Sequence, residues 1–212
     1  LHPPEYLFCF DECTGIQAIE RMLPDLPAIP GHQLSREFHY TRHGTTDLMA
    51  FLRPATGDIF PRCTENHNTE TLSAVFTEHV KLQPEHVRLY YIFDNLSTHF
   101  HDDFCTTVAN LSGITYSSLK SGTERRHWLQ SVQKRIMIYF VPFHGSWLNM
   151  IELWFGILSQ KCLKNGSFAS VEEVTQSIMN FAQTWNEHLA HPFTWKYRGE
   201  GLHEKVVRRF MR

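Results

Sequence analysis

Three carboxylates, Asp11, Asp94 and Glu152, are placed where they could do chemistry together. Asp11 directly follows the apolar run YLFCF (6–10), and Asp94 directly follows VRLYYIF (87–93). Short runs rich in aromatic and β-branched residues that stop at a polar residue read as interior strands. Open α/β sheets bind ligands at the carboxyl ends of their strands, so each run delivers an acid to that edge. If the two strands are parallel neighbours, the acids approach one another, which is unfavourable unless a cation sits between them. Oxygen-only ligands select Mg²⁺ or Mn²⁺ over Zn²⁺. Glu152 opens a helix whose buried stripe is Ile151, Trp154, Phe155, Leu158 and Cys162, and it lies on the border of that stripe. Three acids so arranged could hold two divalent ions for in-line phosphoryl transfer. Separate explanations also exist: strand-end acids are common turn residues, and a first-turn glutamate favours the positive helix end. These account less well for three acids at convergent ends.

The elements that must position the acids are set by pattern. Segments 48–53 and 58–63 flank the turn residues Pro54 to Gly57 and read as a hairpin. Leu72, Val75, Phe76 and Val80 recur at helical spacing and predict a helix over 69–80. A further helix is expected at 100–111, an interior strand at 136–141 and a helix at 150–164. Ser170 with Glu173 forms a capping box for a helix whose Val174, Ile178, Phe181, Trp185 and Leu189 line one face. Segment 22–34 holds Pro24, Pro27, Pro30 and Gly31 and reads as loop. The order predicts one α/β domain, a mixed sheet with helices packed on it. Segment 112–135 is longer than a helix-to-strand connection requires and reads as an inserted loop, with a short helix near 125–132 and Trp128 as its anchor. As a surface insertion it should be replaceable over 114–133 by a short linker without loss of folding.

Composition narrows the class. The 212 residues are 42% hydrophobic and 20% charged, which excludes a disordered or fibrous chain. No apolar run is long enough for a membrane span, and Asp11 and Glu12 interrupt the start of the chain where a signal peptide would need an apolar core. Five cysteines without a C-x-x-C pair read as reduced thiols in a cytoplasmic protein, Cys9 in the core and Cys13 near the acids but no nucleophile. Net charge is −2, yet residues 1–119 carry 7 basic and 15 acidic side chains and residues 120–212 carry 13 and 7. That asymmetry suits a basic surface for a polyanion, or a solvated basic tail.

At these residues the chain resembles the catalytic domain of the DDE/DDD transposases, and within them the bacterial insertion sequence 630 family, relatives of the mariner-type elements. The resemblance is carried by DECTGIQAIER (11–21), YTRHGTT (40–46) with Gly57, DNLSTH (94–99), FHGSWLNMIELWF (143–155) and GSF (166–168). It implies an RNase H-like fold over 1–206 and a metal-binding catalytic triad of Asp11, Asp94 and Glu152. It also implies Mg²⁺ or Mn²⁺ as cofactor, two ions in number, and double-stranded DNA as partner. The implied reaction is hydrolytic nicking at element ends followed by attack of the 3′-hydroxyl on target DNA at a TA dinucleotide. A nuclease with the same acids but no strand transfer, and a silent DNA-binding descendant, are the competing expectations.

Beside the triad, Asn95, His99 and Asn149 are expected to support the acids. Arg42, His43, Arg125, Arg126, Trp147, Arg208 and Arg209 are expected to meet DNA, with a second copy of the chain as a further partner and a nucleoid location when DNA is bound. The pair His99 and His101, beside Asp102 and Asp103, is commonplace in a chain with 14 histidines and is set aside as a zinc site. The chain departs from the family in two ways. The interval from Asp94 to Glu152, 58 positions, exceeds that of the relatives by some twenty, an excess that coincides with 112–135, and the helix-turn-helix modules usual ahead of the family's catalytic domain are expected to be absent. The basic end, 207–212, reads as a tail. Removing 205–212 should weaken binding to unrelated duplexes about equally and lessen the salt dependence of affinity, measured by a salt titration of binding to two duplexes of different sequence. Equal binding by the shortened chain would make the end an ordinary solvated terminus.

Overall fold

The computed structural model describes residues 4–22, 30, 39–142 and 145–196. Five strands form one sheet in the order β3-β2-β1-β4-β5. They are β1 (Glu5–Arg21), β2 (Tyr40–Leu52), β3 (Ile59–Thr64), β4 (Arg88–Phe93) and β5 (Ile136–Phe140). β1, β4 and β5 run parallel, while β2 is antiparallel to both β1 and β3. The helices are α1 (Thr69–Lys81), α2 (Asp102–Leu111), α3 (Gly122–Gln130), α4 (Ile151–Leu158) and α5 (Val171–Thr184).

Strand alternation divides these helices between two cores. Phe8, Phe10, Tyr91 and Phe93 face α1, α2 and α3, packing against Phe76, Phe104 and Leu129. Cys9, Leu48, Ala50 and Leu52 face α4 and α5, packing against Trp154, Leu158, Val174 and Ile178. The result is the expected mixed sheet with helices on both faces, except that β5, whose apolar run reads as an interior strand, lies at the edge of the sheet and is apolar because both its faces are buried over its first three residues. Aromatic rings dominate the first core: Phe10 stacks on Phe93 at 4.4 Å, and the buried His79 stacks on Phe51 at 4.2 Å while its Nδ1 meets the Tyr91 hydroxyl at 3.0 Å. Burial pushes the His79 imidazole down to about 3, so it sits there neutral.

The hairpin forms as its turn residues predict. Gly57 has φ +85°, and a Cβ there would lie 2.2 Å from the His191 carbonyl oxygen, so only glycine fits. β1, however, does not stop at Asp11. It continues to Arg21, 17 residues in all, because β2 still pairs with it where β4 has ended: the β4 pairing stops at Cys9 and Ile92, and the β2 pairing runs on to Arg21 and Tyr40. A ribbon with neighbours on one side only accepts Thr14, Gln17 and Glu20, and so loses the apolar signature of an interior strand. The open edge of this ribbon is closed from the far end of the chain. Phe168 N donates to Ile19 O at 2.8 Å, Arg21 N donates to Ser167 Oγ at 2.9 Å, and the Arg21 guanidinium donates to Lys164 O at 3.0 Å.

Two helices differ from expectation at their ends. α4 passes into a π-helical turn at Ser159–Leu163, and α5 does so at Trp185–Leu189. The wider turn rotates the residues after it, so Trp185 stays buried while Leu189 is half exposed and leaves the face on which spacing places it. The Ser170 hydroxyl accepts from Glu173 N at 3.2 Å as a cap should, but the Glu173 carboxylate accepts from Ala169 N at 2.7 Å, one residue outside the box.

Segment 112–135 is no free loop. Ser121 and Glu124 form a complete capping box that opens α3, and Leu129 reaches the first core with no exposed surface. Trp128 packs on Tyr116 at 4.6 Å. The buried Lys134 ammonium donates to the carbonyls of Trp128, Leu129 and Ser131 at 2.6–2.8 Å, satisfying the helix C-terminus where a cation is favoured. Burial pushes that ammonium down to about 8. Arg125 donates to Phe100 O and Leu119 O, and Arg135 to Gln83 O, Pro84 O and Val87 O. Of the segment's cations Lys120, Arg125, Arg126, Lys134 and Arg135, three are therefore engaged with backbone carbonyls. Replacing 114–133 by a linker would remove a core side chain, contrary to expectation. Leu129→Ala alone should cost about 2–5 kcal/mol in urea unfolding; a cost below about 1 kcal/mol would show α3 to be peripheral.

Candidate active site

Pairing and alternation bring the acids together. Cys9 pairs with Ile92 in the parallel β1–β4 ladder, so Asp11 and Asp94 sit side by side two residues further on, where β4 stops. Along β1, Leu7, Cys9 and Asp11 share one face, and Phe10 and Glu12 the other. Asp11 thus belongs to the side that α4 covers, and α4 brings Glu152 in its first turn. Glu12 belongs to the α2 side, where the 3₁₀ turn Ser97–Phe100 brings His99.

The electrostatics derive from this placement. Asp11 is nearly buried; burial, then the charge of Asp94, then those of Glu12 and Glu152 push its carboxyl up to about 7, against a backbone hydrogen bond from Glu12 N that favours the anion. Glu152 is exposed, and its carboxyl is raised by partial burial and by Asp94. Asp94 goes the other way. Burial raises it, but the imidazole of His99 outweighs that and holds it below the usual aspartate value. His99 has no exposed surface; its Nδ1 lies 2.7 Å from Asp94 Oδ1 and its Nε2 lies 2.8 Å from Glu12 Oε1. Burial alone would lower the imidazole, yet hydrogen bonds to the two carboxylates carry it up to about 10. His99 is thus a buried cation clamped between two anions. Leu96 N–H also donates to Asp94 Oδ1, at 3.0 Å.

Asn149 lies beneath Asp11. Its Nδ2 donates to Phe10 O at 2.7 Å and approaches Asp11 Oδ2 at 3.4 Å, and its buried Oδ1 has no hydrogen-bond donor among the described residues. Asn95 donates to Val141 O and accepts from Arg126 Nη1 at 2.9 Å. The supporting residues expected from sequence therefore surround the acids. Sequence reasoning misses Glu12 as a site residue; the signal is its place beside Asp11, which alternation sends to the opposite face. Cys13 is near the acids as expected: burial, then Glu152, Asp11 and Asp47 raise its thiol, which keeps it protonated and a poor nucleophile.

The expected DNA-contacting residues scatter. Arg42 and His43 sit on the ribbon, about 25 Å along β2 from the residue opposite Asp11. Arg42 leans on Tyr40, and His43 pairs with Glu20 at 2.8 Å. Trp147 is half exposed on the 3₁₀ turn Ser146–Leu148, next to Asn149. Arg125 is engaged in structure, Arg126 borders the acids through Asn95, and Arg208 and Arg209 lie outside the described residues.

The donor set fits a hard divalent cation: three carboxylates, of which Asp11 is pushed up to about 7 by burial first and by the charge of Asp94 second, a cost that a cation would relieve. Among the described residues no three histidine, cysteine, aspartate or glutamate side chains are gathered closely enough to hold a metal ion.

A helix-covered mixed sheet with acids at the end of its parallel central strands has the architecture of the RNase H-like α/β domains. Residues 6–175 match the family described as DDE superfamily endonuclease, and the chain belongs to that family. No curated protein matches it. Among solved structures it is similar to the Mos1 mariner paired end complex with Mn, at 14% identity and a TM-score of 0.36 over 85% of this chain and 53% of that one. It is also similar to the Mos1 strand transfer complex, at 12% identity and a TM-score of 0.38 over 85% and 52%. The chain spans about half the length of the transposase chains it matches. No helix among the described residues is long and apolar enough to cross a membrane.

The raised Asp11 carboxyl makes a stability prediction. The folded chain holds this proton more tightly than the unfolded chain, whose carboxyl titrates near 3.8. The stabilisation is therefore fully present below that value and is lost as pH rises through about 7, on the order of 2–4 kcal/mol without divalent ions. Asp11→Asn should abolish this loss and leave the metal-free protein more stable than wild type at pH 8 but not at pH 4. Urea unfolding of both proteins at the two pH values checks it; an equal difference at each would show that Asp11 carries no such strain.

Proposed function

We propose that this chain is the catalytic domain of a divalent-metal-dependent DNA transposase of the insertion sequence 630 type, cutting phosphodiesters at element ends and joining the 3′-hydroxyl to target DNA. The observation that carries the reading is the acidic cluster at the ends of parallel β1 and β4, which His99 compensates at Asp94 but not at Asp11, in a chain of the DDE superfamily endonuclease family. Asp11, Asp94 and Glu152 would hold Mg²⁺ or Mn²⁺, which when bound supplies activation of the attacking water or hydroxyl and charge stabilisation of the departing oxygen.

The chain's own groups prepare that site. Asp94 Oδ1 already carries hydrogen bonds from His99 and Leu96, so the carboxylate is held in one orientation from which it would meet an ion. Glu12 holds the far nitrogen of His99, so the imidazole cannot swing away from Asp94. Asn149, anchored on Phe10 O, keeps the strand that bears Asp11 in register with the start of α4. The low polarity of the aromatic core behind His99 strengthens each of these contacts. On this reading Arg126, Trp147 and the ribbon residues Arg42 and His43 steer the duplex across the acidic edge.

Glu152→Gln removes an exposed acid and should leave the fold intact while lowering Mg²⁺- or Mn²⁺-dependent cleavage of a labelled duplex by about 100-fold or more. Asp94→Asn should do the same, with a loss of stability because it also breaks the pair with His99. Cleavage at the wild-type rate by either folded variant would overturn the triad, and joined products, as opposed to cut ends alone, distinguish a transposase from a nuclease.

A further inference from the structure

Beside the acids, on the α2 and α3 side of the sheet, a cavity of about 280 Å³ opens between α3 and the ends of β4 and β5. Its walls include Asn95, Thr123, Arg126, His127, Gln130 and Phe140. Four of these recur at i, i+3, i+4 and i+7 and form one stripe of α3. Phe140 is the last residue of β5, paired in register with Phe93, and Asn95 is the second residue after that same Phe93. The cavity therefore begins one residue from Asp94.

We propose that this groove receives the nucleotide next to the phosphodiester held at the acids and reads its base through His127 and Gln130. The inference rests on the function proposed above and adds a determinant of specificity to it. The chemistry of the walls favours a base over a bare phosphate. Among the described walls Arg126 is the one guanidinium or ammonium group, and it is tied to Asn95 and lies 4.9 Å over the Phe100 ring. The remaining polar walls are amides, a hydroxyl and an imidazole, the groups that exchange hydrogen bonds with base edges. Phe140 adds an aromatic surface of the kind on which bases stack. The groove is also rigid where it must be: Arg126 bridges to Asn95, Asn95 to Val141 O, and Leu129 roots α3 in the core. His127 is exposed and Gln130 half buried, so neither is needed to hold the helix in place.

The test maps nick positions made by the whole chain with Mn²⁺ on a supercoiled plasmid carrying a randomised stretch. Wild type should show at least a threefold base preference at one position flanking the nick. His127→Ala with Gln130→Ala should flatten it, and Gln130→Glu should move it toward cytosine, whose exocyclic amine a carboxylate accepts. An unchanged preference in these folded variants, or no preference in wild type, overturns the groove as a reader. A second measurement uses a duplex with 2-aminopurine at that position, bound without metal. A fluorescence change in wild type that the double variant loses supports the groove even if no nicking occurs, in which case it is the proposed function that fails. The same fluorescence in both proteins overturns the groove.

Discussion

Carboxylates converging in a low-dielectric place must be answered by a cation, and His99 is the answer the chain carries within itself. Its imidazolium is held on one nitrogen by Asp94 and on the other by Glu12, with Phe10 and Phe93 edge-on at 5.5 and 5.1 Å. This one contact has two consequences. Asp94 remains an anion although it is half buried, whereas Asp11, which His99 does not touch, takes up a proton near neutrality. The edge of the sheet thus has one acid committed to charge and one whose charge depends on what binds there.

The pleat of β1 makes this possible. Adjacent residues point to opposite faces, so the dipeptide Asp11-Glu12 supplies an acid to each: one to the side where α4 delivers Glu152, the other to the side where His99 lies. A sheet covered on a single face could not separate these duties. Here the α4 and α5 layer frames the open side of the acids, and the α1 to α3 layer supplies the support behind them.

Much of this is legible in the sequence. The two interior strands, the hairpin, the helices and the stripe of α4 come from periodicity that tertiary packing does not override. The acids can be singled out because apolar runs stop at them. Other features carry no such signal. The continuation of β1 past Asp11 depends on pairing with β2, which no local pattern records. The core role of Leu129 is hidden in a polar segment, because one buried side chain on a nine-residue helix makes no periodicity. Arg125, Lys134 and Arg135 read as surface charge because a sequence does not reveal which carbonyls its cations will meet. Spacing misplaces Leu189 because a π-helical turn breaks the 3.6-residue count on which such arguments rely.

The closure of the ribbon by Ser167 and Phe168 bears on how the chain comes to be folded. The two ends of that closure are separated by some two thirds of the sequence: Arg21 near one end and Ser167 well toward the other. During synthesis, the edge of β1 beyond Cys9 is presented as a bare row of amides and carbonyls until the residues after α4 leave the ribosome. Pairings of such long sequence separation form late and slowly, and an uncovered strand edge is a template for wrong partners in the interval. Nascent chains that stall between α3 and α5 should therefore be the species most prone to self-association.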